Sequence, residues 1–253
     1  MTTVSQALNT QDNTPAALVK RYGNDITSTL PSHIGHDQWL SIALAAARDP
    51  KVAEAATNNP AAFFHALRYA ARLGLEPNTE QFYLVPQPPK AGAQAEIMGI
   101  VGWQGIVELI YRAGAVSSVI AEVVRQKDGF AYEPGNDERP RHIIDWDLED
   151  RGGLRLVYAY AIMKDKATSK VIVLNKADIA LIKKSSKTVA SDYSPWNRHE
   201  ASMWLKSAVR QLAKWVPTSA EYRKEILRAA QEVAAEQNID LDTGEVLDGE
   251  LIS

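Results

Sequence analysis

At 253 residues, 45% hydrophobic and 23% charged, the chain has the make-up of a globular protein with room for one large domain or two small ones. It has no cysteine, which excludes a disulfide framework and a thiolate metal site and suits a reducing cytoplasm. The net charge of −3 hides an asymmetry: Lys164 to Arg228 holds fourteen Lys/Arg against six Asp/Glu, whereas residues 229–253 hold seven acids and no Lys or Arg.

Residues 1–14 are polar and read as a disordered lead-in rather than a secretory signal. Thr14-Pro15 opens a helix over Ala16 to Tyr22. Asp37 is placed to cap a second helix, with Trp39, Leu40, Ile42, Ala43 and Ala46 inward, and Asp49-Pro50 breaks it. Pro60 starts a third, which carries Phe63, Phe64 and Leu67 and closes at Gly74. Strands follow at Phe82 to Pro86 and Ala95 to Val101, across a Pro/Gly loop from Gln87 to Gly92. Trp103 to Ala113 is a helix ended by Gly114. Val116 to Arg125, Phe130 to Glu133, Leu154 to Met163 and Lys170 to Leu174 are rich in Val, Ile and Tyr and read as strands. Pro134 to Gly153 is a polar excursion between two of them. Asn175 caps a short helix, Lys183 to Pro195 reads as a mobile basic loop, and Ser194 to Pro217 as one continuous helix. Thr218 with Glu221 has the capping-box pattern for a last helix to about Gln237.

This order gives an α+β fold: helical over 15–75, a sheet core over 80–175, a basic helical part over 176–237, and a flexible acidic tail over 238–253. No apolar run is long enough to span a bilayer. The helical front, especially Trp39 to Ala47 and Phe63 to Leu73, serves either a subunit interface or the chain's own core.

Several chemistries lack their residues. There is no P-loop, and Gly99-Ile-Val-Gly102-Trp-Gln-Gly105 lacks dinucleotide-fold spacing, so its glycines read as close packing where a strand turns into a helix. His33 and His36 have no further ligand cluster, and His65, His142 and His199 are isolated. Asp145, Asp147, Glu149 and Asp150 read as a solvated loop, and they keep a metal-dependent nuclease open as an alternative.

The positive signal is the helix from Ser194. Lys206, Arg210 and Lys214 recur at i, i+4 and i+8, opposite an apolar face of Ala201, Trp204, Leu205, Ala208, Leu212, Trp215 and Val216. Three aligned cations suit a line of phosphates. Trp204 and Trp215 are expected in the core, and Trp196 at the helix entrance is the candidate for stacking on a base. Lys183, Lys184 and Lys187 lie among hydroxyl side chains that suit phosphate contacts. No motif for reading duplex sequence is present. The residues thus point to single-stranded nucleic acid, with a passive coating protein or an RNA-binding module as further alternatives.

An ordered series of segments resembles the RecT family of phage and prophage recombination proteins. It comprises Gly74-Leu-Glu-Pro77 with Tyr83-Leu-Val-Pro86; Ile100-Val-Gly-Trp-Gln-Gly105 closing at Arg112-Ala-Gly114; Asp128-Gly-Phe and Tyr132-Glu-Pro-Gly135; and His142, Arg151-Gly152 and Val157-Tyr-Ala-Tyr-Ala161. It ends with Lys183-Lys-Ser-Ser186, Ser194-Pro-Trp196 and Lys206-Ser-Ala-Val-Arg210 through Lys214-Trp-Val-Pro217. Two departures stand out. Gln104 replaces a cation at the glycine-rich turn, and Lys183-Lys184 replaces arginines, which keeps charge but not a planar fork.

The resemblance implies a twisted antiparallel sheet backed by a long helix. It implies a non-enzymatic protein that binds single-stranded DNA and anneals complementary strands without ATP, as a homo-oligomeric ring or filament in the cytoplasm of a bacterial host. A partner exonuclease and, through the C-terminal region, a host single-strand binding protein are expected partners. No cofactor is expected, and a Mg2+ requirement for annealing is left open. The expected DNA contacts are Lys206, Arg210 and Lys214, with Lys183, Lys184 and Lys187 on a loop that closes over the strand. Trp103 and Gln104 join them at the strand-to-helix turn, with Trp196, and with Arg112 and Arg125 as weaker candidates.

Overall fold

The computed structural model describes residues 14–87, 96–184 and 194–220, and helical positions 223, 224, 227, 228 and 231 beyond them. The Pro/Gly loop, Lys187, the proposed capping partner Glu221 and the acidic tail lie outside the described residues.

The front is helical, with five segments: α1 (Pro15–Arg21), α2 (Gly23–Thr27), α3 (His36–Ala46), α4 (Pro50–Asn58) and α5 (Pro60–Leu73). Thr14, Asp49 and Asn59 each precede a proline at the first helical position and accept a backbone N–H of the first turn, a pairing that satisfies orphan donors and pre-sets φ. Asp49-Pro50 therefore ends α3 and also starts α4, a helix the sequence pattern did not announce. Asp37 is not the cap of α3; Gly35 is, without a side-chain bond, and Asp37 sits in the first turn, where its charge complements the helix dipole. Gly74 ends α5 at φ 63°, a left-handed cap that suits glycine.

Trp39, Ala43, Phe63, Leu67, Ala70 and Leu73 are buried together in one core, and the Trp39 indole N–H donates to the Leu75 carbonyl at 2.8 Å. The apolar faces of α3 and α5 are thus used within the chain. The hairpin β1 (Phe82–Gln87) and β2 (Glu96–Val101) pairs Phe82 with Val101 and packs on α5.

A second core lies behind. Helix α6 (Trp103–Arg112) joins the two, with Leu109 in the first and Ile106 and Ile110 in the second. An antiparallel sheet has the order β3 (Val116–Arg125), β6 (Leu154–Met163), β7 (Ile172–Asn175), with Val123 opposite Val157 and Tyr158 opposite Val173. Val157, Ala159 and Ala161 of β6 are buried in the second core with Ala208, Val209 and Leu212 from a helix at the back, the period-2 pattern of a sheet face covered by a helix. β6 departs from strict alternation because Tyr158, on the other face, is also buried. It lies under a separate hairpin, β4 (Gly129–Ala131) and β5 (Arg141–Ile143), whose Phe130 and His142 rings sit 5.5 and 5.7 Å from its own. β5 falls inside the polar excursion and was not expected.

α7 (Lys176–Lys184) follows β7, and Asn175 Oδ1 accepts the backbone N–H groups of Ala177 and Asp178. The continuous Ser194–Pro217 helix is not what forms. Ser194 and Pro195 start a single turn, α8 (Pro195–Arg198), His199 breaks it at φ −136°, and α9 (Glu200–Leu212) carries on. The chain leaves α9 through a turn at Ala213–Trp215. The result is an α+β molecule: a helical front, and a three-stranded antiparallel sheet backed by α9.

Candidate nucleic-acid interface

α9 crosses the sheet against β6, β3 and β7 and presents its remaining side outward. Its buried side is wider than the periodicity indicated, because Ser207 and Val209 are buried alongside Trp204, Ala208 and Leu212. Lys206 falls next to Ser207, on the rim of that face, and is half-buried; Arg210 and Lys214 are exposed. Lys214 lies in the turn past the helix end.

Burial, and secondarily the nearby Arg210 charge, lowers the Lys206 pKa to about 8. Taking an ammonium partly out of water is unfavourable unless an opposite charge compensates. Among the described residues, Lys206, Arg210, Lys214 and Lys170 have no carboxylate partner. The surface is therefore cationic, and no carboxylate among the described residues compensates it.

The flanking candidates divide. Lys183 and Lys184 occupy the last turn of α7 rather than a loop, and Lys183 Nζ reaches Asn197 Oδ1 of α8 at 3.4 Å. The ends of α7 and α8 thus meet, which brings Lys183 to the approach of α9. Trp196 is only 3% exposed and belongs to the second core, so it offers no face to a base. Trp215 reverses its expectation in the opposite sense. Periodicity places it in the core, yet it is 57% exposed because α9 ends before it.

The glycine-rich turn is built by close approach. A Cβ on Gly102 would collide with the Glu80 carbonyl oxygen, and one on Gly105 with that of Gln81. α6 starts there without a side-chain cap. Trp103 is partly buried against the second core. Gln104 donates from Nε2 to Glu80 Oε2 at 3.1 Å, while its buried Oε1 has no hydrogen-bond partner among the described residues.

Arg112 and Arg125 have structural work. Arg112 donates to the Leu73 carbonyl at 2.6 Å and the Gly74 carbonyl at 2.8 Å, and pairs with Glu108 at 3.0 Å. It ties the end of α6 to the end of α5. Arg125 Nη1 donates to the Gly152 carbonyl at 3.0 Å.

One assembly is not visible in the sequence pattern, although the family-like segments contain its members. Asp128, buried at the start of the β4–β5 excursion, accepts Arg151 Nε on Oδ1 at 2.9 Å and Arg151 Nη2 on Oδ2 at 2.7 Å. His142 Nε2 lies 3.1 Å from Oδ2, and the Arg125 backbone N–H donates to it at 2.7 Å. The Arg151 hydrogen bonds first, with those from the Arg125 backbone and His142, hold the Asp128 carboxyl far below the usual range despite its burial. Tyr158 OH, 3.3 Å from His142 Nδ1, is pushed up to about 12 by burial and then by Tyr160 and Glu122. No local pattern links the side chains of this cluster, since the Asp128–His142, His142–Tyr158 and Asp128–Arg151 pairs span 14 to 23 positions.

The acids of the same excursion shape its turns. Asp145 Oδ1 accepts the Asp147 N–H at 3.1 Å and Asp150 Oδ1 the Gly152 N–H at 2.7 Å. Among the described residues no three His, Asp or Glu side chains converge as a metal group, and no helix is long and apolar enough to cross a membrane.

A sequence model of the RecT family matches residues 37–243. The chain belongs to the RecT family. It is 31% identical over 230 residues to Protein RecT of Escherichia coli (strain K12), covering 89% of this chain and 81% of that protein. The matched span takes in α9, the glycine-rich turn and the Asp128 cluster, so the cationic surface and its scaffold both lie within the RecT-family part of the chain.

Proposed function

We propose that this RecT-family chain binds single-stranded DNA along α9 and anneals complementary strands in homologous recombination, without nucleotide hydrolysis and as an assembly of many copies. The observation that carries the proposal is the row Lys206, Arg210 and Lys214, uncompensated among the described residues and with its first member half-buried. Family membership supports the recombination role.

The physical sequence is short. Two DNA strands repel each other, and self-structure hides their bases. Lys206, Arg210 and Lys214 take up phosphates of one strand and release its counterions. Lys183, at the junction of α7 and α8, extends the track with Lys184, and Lys187 is proposed from the sequence as a further phosphate contact. The α6 N-terminus at Trp103 and Gln104 is a secondary contact, with Gln104 a weaker phosphate partner than a cation. A backbone held on one side leaves the pairing edges open to a second strand. Base pairing then supplies the driving force, so no ATP is consumed.

The test is to mix two complementary fluorescent oligonucleotides, without ATP, with and without the protein. Duplex formation accelerates with the wild type and returns to the protein-free rate with Lys206→Ala plus Arg210→Ala. Tight binding by the wild type with no acceleration contradicts annealing and leaves a coating protein; shortened strands leave a nuclease.

A further inference from the structure

Two tryptophans of this molecule stand out in solvent, and their surroundings differ. Trp146 is 82% exposed, in the excursion with Asp145, Asp147, Glu149 and Asp150, and Arg151 lies 5.9 Å from its ring centroid. Trp215 is 57% exposed, follows Lys214 directly, and has the Lys170 ammonium 3.8 Å from its ring centroid. An ammonium at that distance lies against one face of the indole, attracted by the ring quadrupole. Neither Lys170 nor Lys214 has a carboxylate partner among the described residues. The backbone N–H of Trp215 donates to the Leu212 carbonyl at 2.8 Å, so the turn that carries the ring is fixed to the end of α9.

An exposed indole keeps a large apolar surface in water. Here it follows Lys214 in the turn past α9, with the Lys170 ammonium over the ring and 57% of the residue still exposed. Single strands are held by cations on phosphates and by flat rings on bases. The row supplies the first and lacks the second, because Trp196 and Trp204 are both buried. We propose that Trp215 is a stacking platform for one base of the bound single strand, held in place by Lys170. This rests on the DNA-binding reading of α9 and adds a base-binding subsite to it. Lys170 and Lys214 then flank the stacked nucleotide and meet its phosphates. Trp146 is the internal control, since the acids around it repel a polyanion.

The experiment measures affinity for a fluorescein-labelled oligothymidine and for an abasic strand of equal length, over a series of salt concentrations. Trp215→Ala weakens oligothymidine binding about tenfold with an unchanged salt slope, as loss of one stacked base demands, and leaves the abasic strand unaffected. Trp215→Phe retains most of the affinity, which separates loss of stacking from misfolding, and Trp146→Ala binds as wild type. Unchanged oligothymidine affinity in Trp215→Ala, or an equal loss on both strands, overturns the platform. Wild-type affinity in Lys206→Ala plus Arg210→Ala instead overturns the underlying DNA-binding reading. A normal Trp215→Ala beside a weakened double variant removes only the stacking site.

Discussion

Arg151 and Lys206 are both cations drawn partly out of water, and the molecule treats them in opposite ways. Arg151 meets a buried carboxylate through two hydrogen bonds, and a histidine and a backbone N–H complete the Asp128 shell. Lys206 meets no acid among the described residues, has Arg210 as its charged neighbour, and is pushed toward its neutral form. Internal compensation marks a group that fastens parts of the chain together; here Arg151 and Asp128 join the two ends of the β4–β5 excursion at the end of β3, and His142 links it to Tyr158 of β6. On the proposed function, the partner of Lys206 is a phosphate supplied by the DNA. The same contrast separates Arg112, committed to the end of α5, from Arg210 and Lys214 on the open side of the molecule.

Breaking the compensated cluster has the largest effect. Asp128→Ala leaves the Arg151 guanidinium without its partner and lowers stability by about 3 kcal/mol, read as a shift in the urea midpoint. The DNA affinity of the folded protein is unchanged; a selective loss of affinity at full stability erases the distinction between the two regions. Next comes the uncompensated row. Lys206→Ala plus Arg210→Ala removes two charge-assisted phosphate contacts and weakens single-strand binding by about 2 kcal/mol, roughly 30-fold, while stability holds or rises because two like charges are relieved.

A smaller effect sharpens the comparison through pH. Lys206 titrates near 8 when free, and a bound phosphate favours its charged form, so binding takes up a proton. Affinity therefore falls from about pH 7 to about pH 9, by up to one contact, roughly tenfold. Lys206→Arg removes the pH dependence, because arginine stays charged. The stability term has the opposite sign. The folded pKa is below the unfolded one, so this group opposes folding below about pH 8, and that opposition fades as pH rises toward about 10.5. A pH-independent affinity for the wild type shows that Lys206 touches no phosphate. The smallest effect is at Trp146→Ala, which changes DNA affinity by less than about twofold, the level of an exposed site without specific contacts.

How much of this was legible depended on the range of the interactions. α5 was announced in full, because a proline start and a left-handed glycine end are local signals; its Asn59 cap emerged only in the structure. β3 and β6 showed as Val- and Tyr-rich runs, and the glycine-rich turn was recognised as close packing, which the Glu80 and Gln81 carbonyls explain. β5 was hidden because Arg141, His142 and Ile143 form a three-residue strand in polar sequence, held by a cluster whose members lie far apart in the chain. The break at His199 has no proline or glycine to mark it. Trp215 was misassigned for the same reason: periodicity carried the helix past Leu212, whereas the turn at Ala213–Trp215 rotates the ring into solvent. The cations were legible as a stripe, but their lack of partners is a property of the fold.

The central claim, that the uncompensated cations are the DNA contacts, is tested most directly by the salt dependence of single-strand affinity. The logarithm of the binding constant is measured against the logarithm of salt concentration for the wild type, for Lys206→Ala plus Arg210→Ala, and for Arg112→Ala. Each lost phosphate contact lowers the slope by about 0.7 for a single strand, so the double variant loses about 1.4 and Arg112→Ala loses nothing. An unchanged slope in the double variant, or an equal loss in Arg112→Ala, contradicts the account.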